Sequence, residues 1–140
     1  MTKPQKDRIV RLVNRKNWWH SPPEDPRAYE KRGQFLASTY DEAAFYGKPL
    51  LDPLKVTVES PLIGHETLIE RQLFGKPIKI TTKWSIRAIF ALDRRRRNEA
   101  LRKGYDSIVL LGPKAYRDYV GYGKIPRSIG LNLLHVPTHA

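Results

Sequence analysis

The 140-residue chain carries 26 Lys and Arg against 14 Asp and Glu, a formal charge of +12, with 40% hydrophobic and 10% aromatic residues. That apolar content suits one folded domain with one core, while no apolar run approaches the ~18 residues of a membrane span. The absence of cysteine excludes disulfides and thiolate-bound zinc.

Residues 1–8 are basic and lack the apolar stretch of a secretion signal. They read as a flexible tail ahead of a single domain over 9–140, in a cytoplasmic setting. Residues 9–13, four aliphatic residues around Arg11, predict a strand, and Trp18-Trp19-His20 a second strand or its continuation. Three prolines over 21–26 make a loop, and 29–32 allow one helical turn. Residues 33–47 are the most informative stretch. A strand around Phe35 leads into a helix over 40–46, with Thr39 and Glu42 at capping-box spacing and Gly47 and Pro49 as stops. Residues 54–59 alternate apolar and polar, as a half-buried strand does, and Pro61 ends them.

A short helix over 65–73 follows, then a turn at 75–77 and a short strand holding Ile78 and Ile80. Ile86, Ile89, Phe90, Ala100 and Leu101 share a helical face. Starts at Ser85 and at Asp93 both fit, and Gly104 caps the end. Residues 107–111 are the most apolar strand, hence central. Residues 112–127 read as a long, partly ordered loop, and 131–136 as a final strand. Short strands among scattered helices predict an α+β domain.

The positive charge points to polyanions, with nucleic acid or a nucleic-acid-bound protein complex first among them; the plain alternative is a basic solvated surface. Arg94, Arg95, Arg96 and Arg97, extended by Arg102 and Lys103, read as a phosphate-binding stripe. The alternative is a solvated helix whose stems cover apolar surface. Lys114 and Arg117, with Lys124 and Arg127, interleave with Tyr116, Tyr119 and Tyr122 as a second surface on which bases can stack. His65, His135 and His139 lack metal-ligand spacing, so no metal is expected.

Trp18-Trp19-His20-Ser21, the stretch from Gly33 to Tyr46, the Pro-Leu ending of 56–62 and Gly104-Tyr105-Asp106-Ser107-Ile108-Val109 together resemble the ADP-ribosyltransferase superfamily. The likeness is to the poly(ADP-ribose) polymerase and diphtheria-toxin branch, in its small phage or bacterial form. The resemblance implies a split β-sheet core, NAD as the bound dinucleotide, and transfer of ADP-ribose to a macromolecular acceptor. His20 would donate to a ribose hydroxyl, the backbone of Ser21 would pair with the nicotinamide carboxamide, and Phe35 and Tyr46 would sandwich the ring. Ser38, read first as a helix cap, also falls at this cleft.

The chain departs from the family at the late-strand Glu, which answers the cationic ribose of the transition state. Asn132 stands near its place, and no acid follows Asp118. Asp118 is a second candidate carboxylate. The alternative function is a catalytically inactive protein of the same fold that binds nucleic acid or inhibits a protein partner.

Overall fold

The computed structural model describes residues 1–135. Its elements are α1 (Lys3–Arg15), α2 (Ala28–Arg32), β1 (Gln34–Ala37), α3 (Tyr40–Ala44), β2 (Pro61–Gly64), α4 (Glu66–Phe74), α5 (Ile86–Arg102), β3 (Ser107–Leu110), α6 (Pro113–Tyr122) and β4 (Gly130–Leu133). The strands form one mixed sheet in the order β1-β4-β3-β2. β4 runs antiparallel to both neighbours, and β2 and β3 are parallel. A parallel pair needs a crossover, which α4 and α5 supply. The α+β class therefore holds, as a single sheet with helices on both faces. On one face Leu36, Ile63, Val109 and Leu131 pack with Ile9 and Val13 of α1 and Tyr119 of α6. On the other, Leu62 and Ile108 pack with Ile69 and Leu73 of α4 and Ala100 of α5.

The expected first strand is a helix. Thr2 and Gln5 form a reciprocal capping box, and Ile9 and Val13, one turn apart, are fully buried. Residues 3–8, expected as a tail, are the opening turns of this helix. The Trp18 indole N–H donates to the Val13 carbonyl at 2.9 Å and satisfies one of the helix's orphan acceptors. Beyond it, Trp18 bridges to Leu54 and Trp19 to Ala37, so this segment runs along the outer edge of β1.

Residues 54–58 keep the expected alternation of burial, but only Leu54 makes a strand-like bridge. The side-chain amide of Asn14 takes the partner's place at Val58, accepting from its N–H at 2.7 Å and donating to its carbonyl at 3.0 Å. Pro61 opens β2 rather than ending a strand, at a first position on an edge strand, where a missing N–H costs little. Residues 78–80 form no strand.

α5 starts at the Ser85 cap, whose hydroxyl accepts from the Ala88 N–H at 3.1 Å. Its buried residues are Leu92 and Ala100, while Ile86 and Phe90 are exposed, so the expected apolar face is only partly the buried one. The expected loop over 112–127 contains α6, begun by Pro113 and closed by Gly123 in the left-handed region. β4 ends at Leu133. The expected strand's last residue, Val136, and also His139 lie outside the described residues.

Candidate functional site

Three segments meet at the outer edge of β1. His20 is 3% exposed. Its Nδ1 lies 2.7 Å from the Phe35 carbonyl and its Nε2 lies 2.8 Å from the Tyr29 hydroxyl. A carbonyl only accepts, so Nδ1 carries a proton and donates to it, while Nε2 is engaged by the tyrosine hydroxyl. Burial raises the Tyr29 pKa, keeping the hydroxyl proton in place. Both ring nitrogens are therefore engaged within the fold. The imidazole fixes the backbone of Phe35, and no nitrogen is left over for a ribose hydroxyl in this arrangement.

This arrangement changes the edge ladder. Trp19 and Ala37 exchange two hydrogen bonds of 2.9 Å. In an antiparallel ladder the next such pair is Ser21 with Phe35. The His20 ring occupies the Phe35 carbonyl, and the Ser21 N–H and C=O pair with nothing among the described residues. The Ser21 hydroxyl turns instead to the end of α3. It donates to the Ala43 carbonyl at 2.7 Å, with the Gly47 carbonyl at 3.3 Å. Tyr46, 81% exposed, stands at this end and meets Phe45 edge-on at 5.3 Å. Phe35 is 47% exposed. An unpaired donor and acceptor on one residue thus occur in the same neighbourhood as two accessible rings, and Phe35 and Tyr46 make no ring contact with each other among the described residues.

Asn132 sits directly across from Phe35 on β4, on the same face of the sheet. It is 6% exposed, and its Nδ2 donates to the Arg32 carbonyl at 3.0 Å. Its Oδ1 has no hydrogen-bond partner among the described residues and faces Gly33. It ties the turn between α2 and β1 to the sheet. Asp118 belongs to α6, which packs on the opposite face, and so does not converge on this edge.

A different carboxylate does approach. Glu42 accepts from the Ser38 hydroxyl at 3.1 Å, from the Thr39 hydroxyl at 3.0 Å, and from Ser128 just ahead of β4. The Ser38 hydroxyl in turn accepts from the Ile129 N–H at 3.2 Å. Thr39 caps α3 as expected, accepting from the Glu42 N–H at 3.1 Å, but the glutamate side chain bonds hydroxyls rather than the Thr39 N–H. The Ser38–Thr39–Glu42 spacing suggests only a cap. The link to Ser128, 86 residues away, has no local sequence signal.

The arginine run is used largely inside the fold. Arg96 bonds Glu66 at 2.9 Å and Glu70 at 3.1 Å, and lies 3.5 Å from Asp93. Burial raises the Asp93 pKa even though Arg96 and Arg32 pull it down. Arg97 donates to the Leu134 carbonyl at 2.8 Å, and burial lowers its pKa. Arg95 lies over the Phe74 ring at 4.8 Å. Arg102 pairs with Glu99 at 2.8 Å, and Lys103 donates to the Gln72 carbonyl at 3.1 Å. Arg94, Lys114 and Arg117 are exposed, with no hydrogen bond or ion pair among the described residues.

No protein-family model, curated protein or solved structure matches this chain. The molecule is thus assigned by architecture alone, as an α+β domain.

Proposed function

We propose that this edge of β1 takes the nicotinamide end of NAD, and that the chain is an ADP-ribosyltransferase-like protein acting on a macromolecular acceptor that is nucleic acid or part of a nucleic-acid-bound complex. The observation that carries the reading is the N–H and C=O of Ser21, unpaired among the described residues, in the neighbourhood of the accessible rings of Phe35 and Tyr46. A primary amide needs one acceptor and one donor, and a flat ring needs two walls. Each ring–ring contact would contribute about 0.5–1.5 kcal/mol beyond area burial. NAD supplies a labile nicotinamide–ribose bond. The chain's residues would hold the amide and the ring and present a carboxylate to the ribose. Glu42 is our candidate for that carboxylate, since its three hydroxyl donors fix it beside the leading end of β4. His20 acts as a positioning residue through the Phe35 carbonyl.

A second reading, an inactive protein that binds through the same cleft, is favoured by Asn132. This side chain is buried and bonded to Arg32, and so is turned away from a ligand. NAD titration calorimetry together with release of labelled nicotinamide separates the two. The transferase reading expects binding and turnover in the wild type, with Glu42→Gln keeping binding and losing about 10²-fold or more in rate. Binding without turnover supports the inactive reading. Absence of binding removes both.

A further inference from the structure

We propose that the outward face of α1 is a nucleic-acid-binding surface, with Arg8, Arg11 and Arg15 contacting phosphates and the Tyr122 ring offering a stacking platform for bases at the adjoining end of α6. The proposal rests on the polyanion-partner reading above and is independent of the NAD cleft.

Ile9 and Val13 turn one side of α1 wholly into the core. At about 100° per residue, positions 8, 11 and 15 fall within roughly 60° of one another on the opposite side, and they span roughly 10 Å along the axis. All three are exposed, and none makes a side-chain hydrogen bond or ion pair among the described residues, although the Arg15 carbonyl accepts from the Lys55 ammonium at 2.6 Å; the one ion pair on this helix there joins Lys3 to Asp7. The contrast with the arginine run on α5 is direct. There, three of four guanidinium groups are held by a ring, a carbonyl or an acid cluster. Charges that are free and unneutralised in the folded protein are the ones that release counterions when phosphate arrives.

α6 extends the surface. The Tyr119 hydroxyl donates to the Gln5 carbonyl at 2.6 Å, and the Gln5 side chain donates to the Val120 carbonyl at 3.0 Å, which fastens the end of α6 to the start of α1. The charges of Arg8 and Arg11 oppose the rise that burial gives the Tyr119 pKa, in keeping with α6 lying alongside this helix. Tyr122, the last residue of α6, is 89% exposed. An exposed aromatic ring on a helix fastened to the one that carries the basic stripe suits single-stranded nucleic acid. A lipid surface suits it less, because the apolar side of α1 is spent in the core and none is left to insert.

The test is fluorescence anisotropy with a labelled single-stranded oligonucleotide over a series of salt concentrations. Arg8→Gln/Arg11→Gln/Arg15→Gln should weaken binding at least about tenfold at low salt. It should also reduce the slope of log K against log salt by about 2, at roughly 0.7 per phosphate contact. The corresponding triple lysine variant should keep the slope, and Arg94→Gln/Arg95→Gln should stay within about twofold of wild type in affinity. Tyr122→Ala should weaken single-strand binding about tenfold with the slope unchanged. A wild type that binds no oligonucleotide overturns the partner reading itself. Wild-type binding with an unchanged slope in the α1 variant overturns only this surface. Phosphatidylserine vesicles binding as tightly as the oligonucleotide also overturn it.

Discussion

Gly33→Ala is the substitution for which the structure gives the clearest cost. Gly33 turns the chain from α2 into β1 at φ +86° and ψ −171°, a conformation that side-chain-bearing residues rarely adopt. Holding alanine there costs about 2 kcal/mol. A Cβ at this position would lie 2.3 Å from Asn132 Oδ1 and 2.6 Å from the Leu133 carbonyl oxygen. The second atom is sheet backbone and cannot swing aside, so overpacking adds about 2 kcal/mol. The total is about 4 kcal/mol, and at roughly 3 °C per kcal/mol for a chain of this size Tm should fall by about 12 °C. Scanning calorimetry beside Gly104→Ala makes the comparison. Gly104 has φ +91° with nothing within 4 Å of the built Cβ, so that variant should lose only about 3–6 °C. Equal losses in the two variants would refute the steric part of this reasoning.

Arg96→Met should cost about 3–5 kcal/mol in denaturant titrations, because it leaves Glu70, with a side chain 3% exposed, without its cation; adding Glu70→Gln should recover part of that loss. Asp93 has a folded-state pKa raised by burial, so wild type should lose stability relative to Asp93→Asn as pH rises from 3.8 through that raised value, and the two should converge in stronger acid. His20→Ala should lower stability by about 1–3 kcal/mol for each of the two groups it orphans, the Phe35 carbonyl and the Tyr29 hydroxyl, so lost activity in that variant must be read beside its melting curve.

What the sequence made legible was local. The strand at Phe35, the Thr39 cap and the short helix after it depend on residues within a few positions of each other, and so does the apolar β3; for α5 the sequence leaves Ser85 and Asp93 open as starts, and the structure takes Ser85. Residues 9–13 misled because a mostly aliphatic stretch of that length fits a strand and a buried helix face equally; the Thr2–Gln5 box was the deciding signal. For α6 the Pro113 start and the Gly123 stop were both visible, but the tyrosines between them resembled a loop surface.

The site was legible as a neighbourhood and not as a set of roles. His20, Ser21, Phe35 and Tyr46 do gather at one edge. Which nitrogen His20 has to spare depends on Tyr29, and what Ser21 offers depends on a ladder pair that does not form. The Ser128 partner of Glu42 and the Glu66 and Glu70 partners of Arg96 come from distant segments. For that reason the sequence points to the final strand for a carboxylate near β4, and leaves the arginine run between a phosphate stripe and a solvated helix.

The most direct measurement is an amide-resolved NMR titration of the whole chain with NAD. The largest shift should fall on the Ser21 N–H, with smaller ones at Phe35 and around Tyr46, and Tyr46→Ala should weaken the response. If Ser21 stays silent at saturating NAD, or if the shifts gather on the arginine face of α1 instead, this edge of β1 does not hold the nicotinamide.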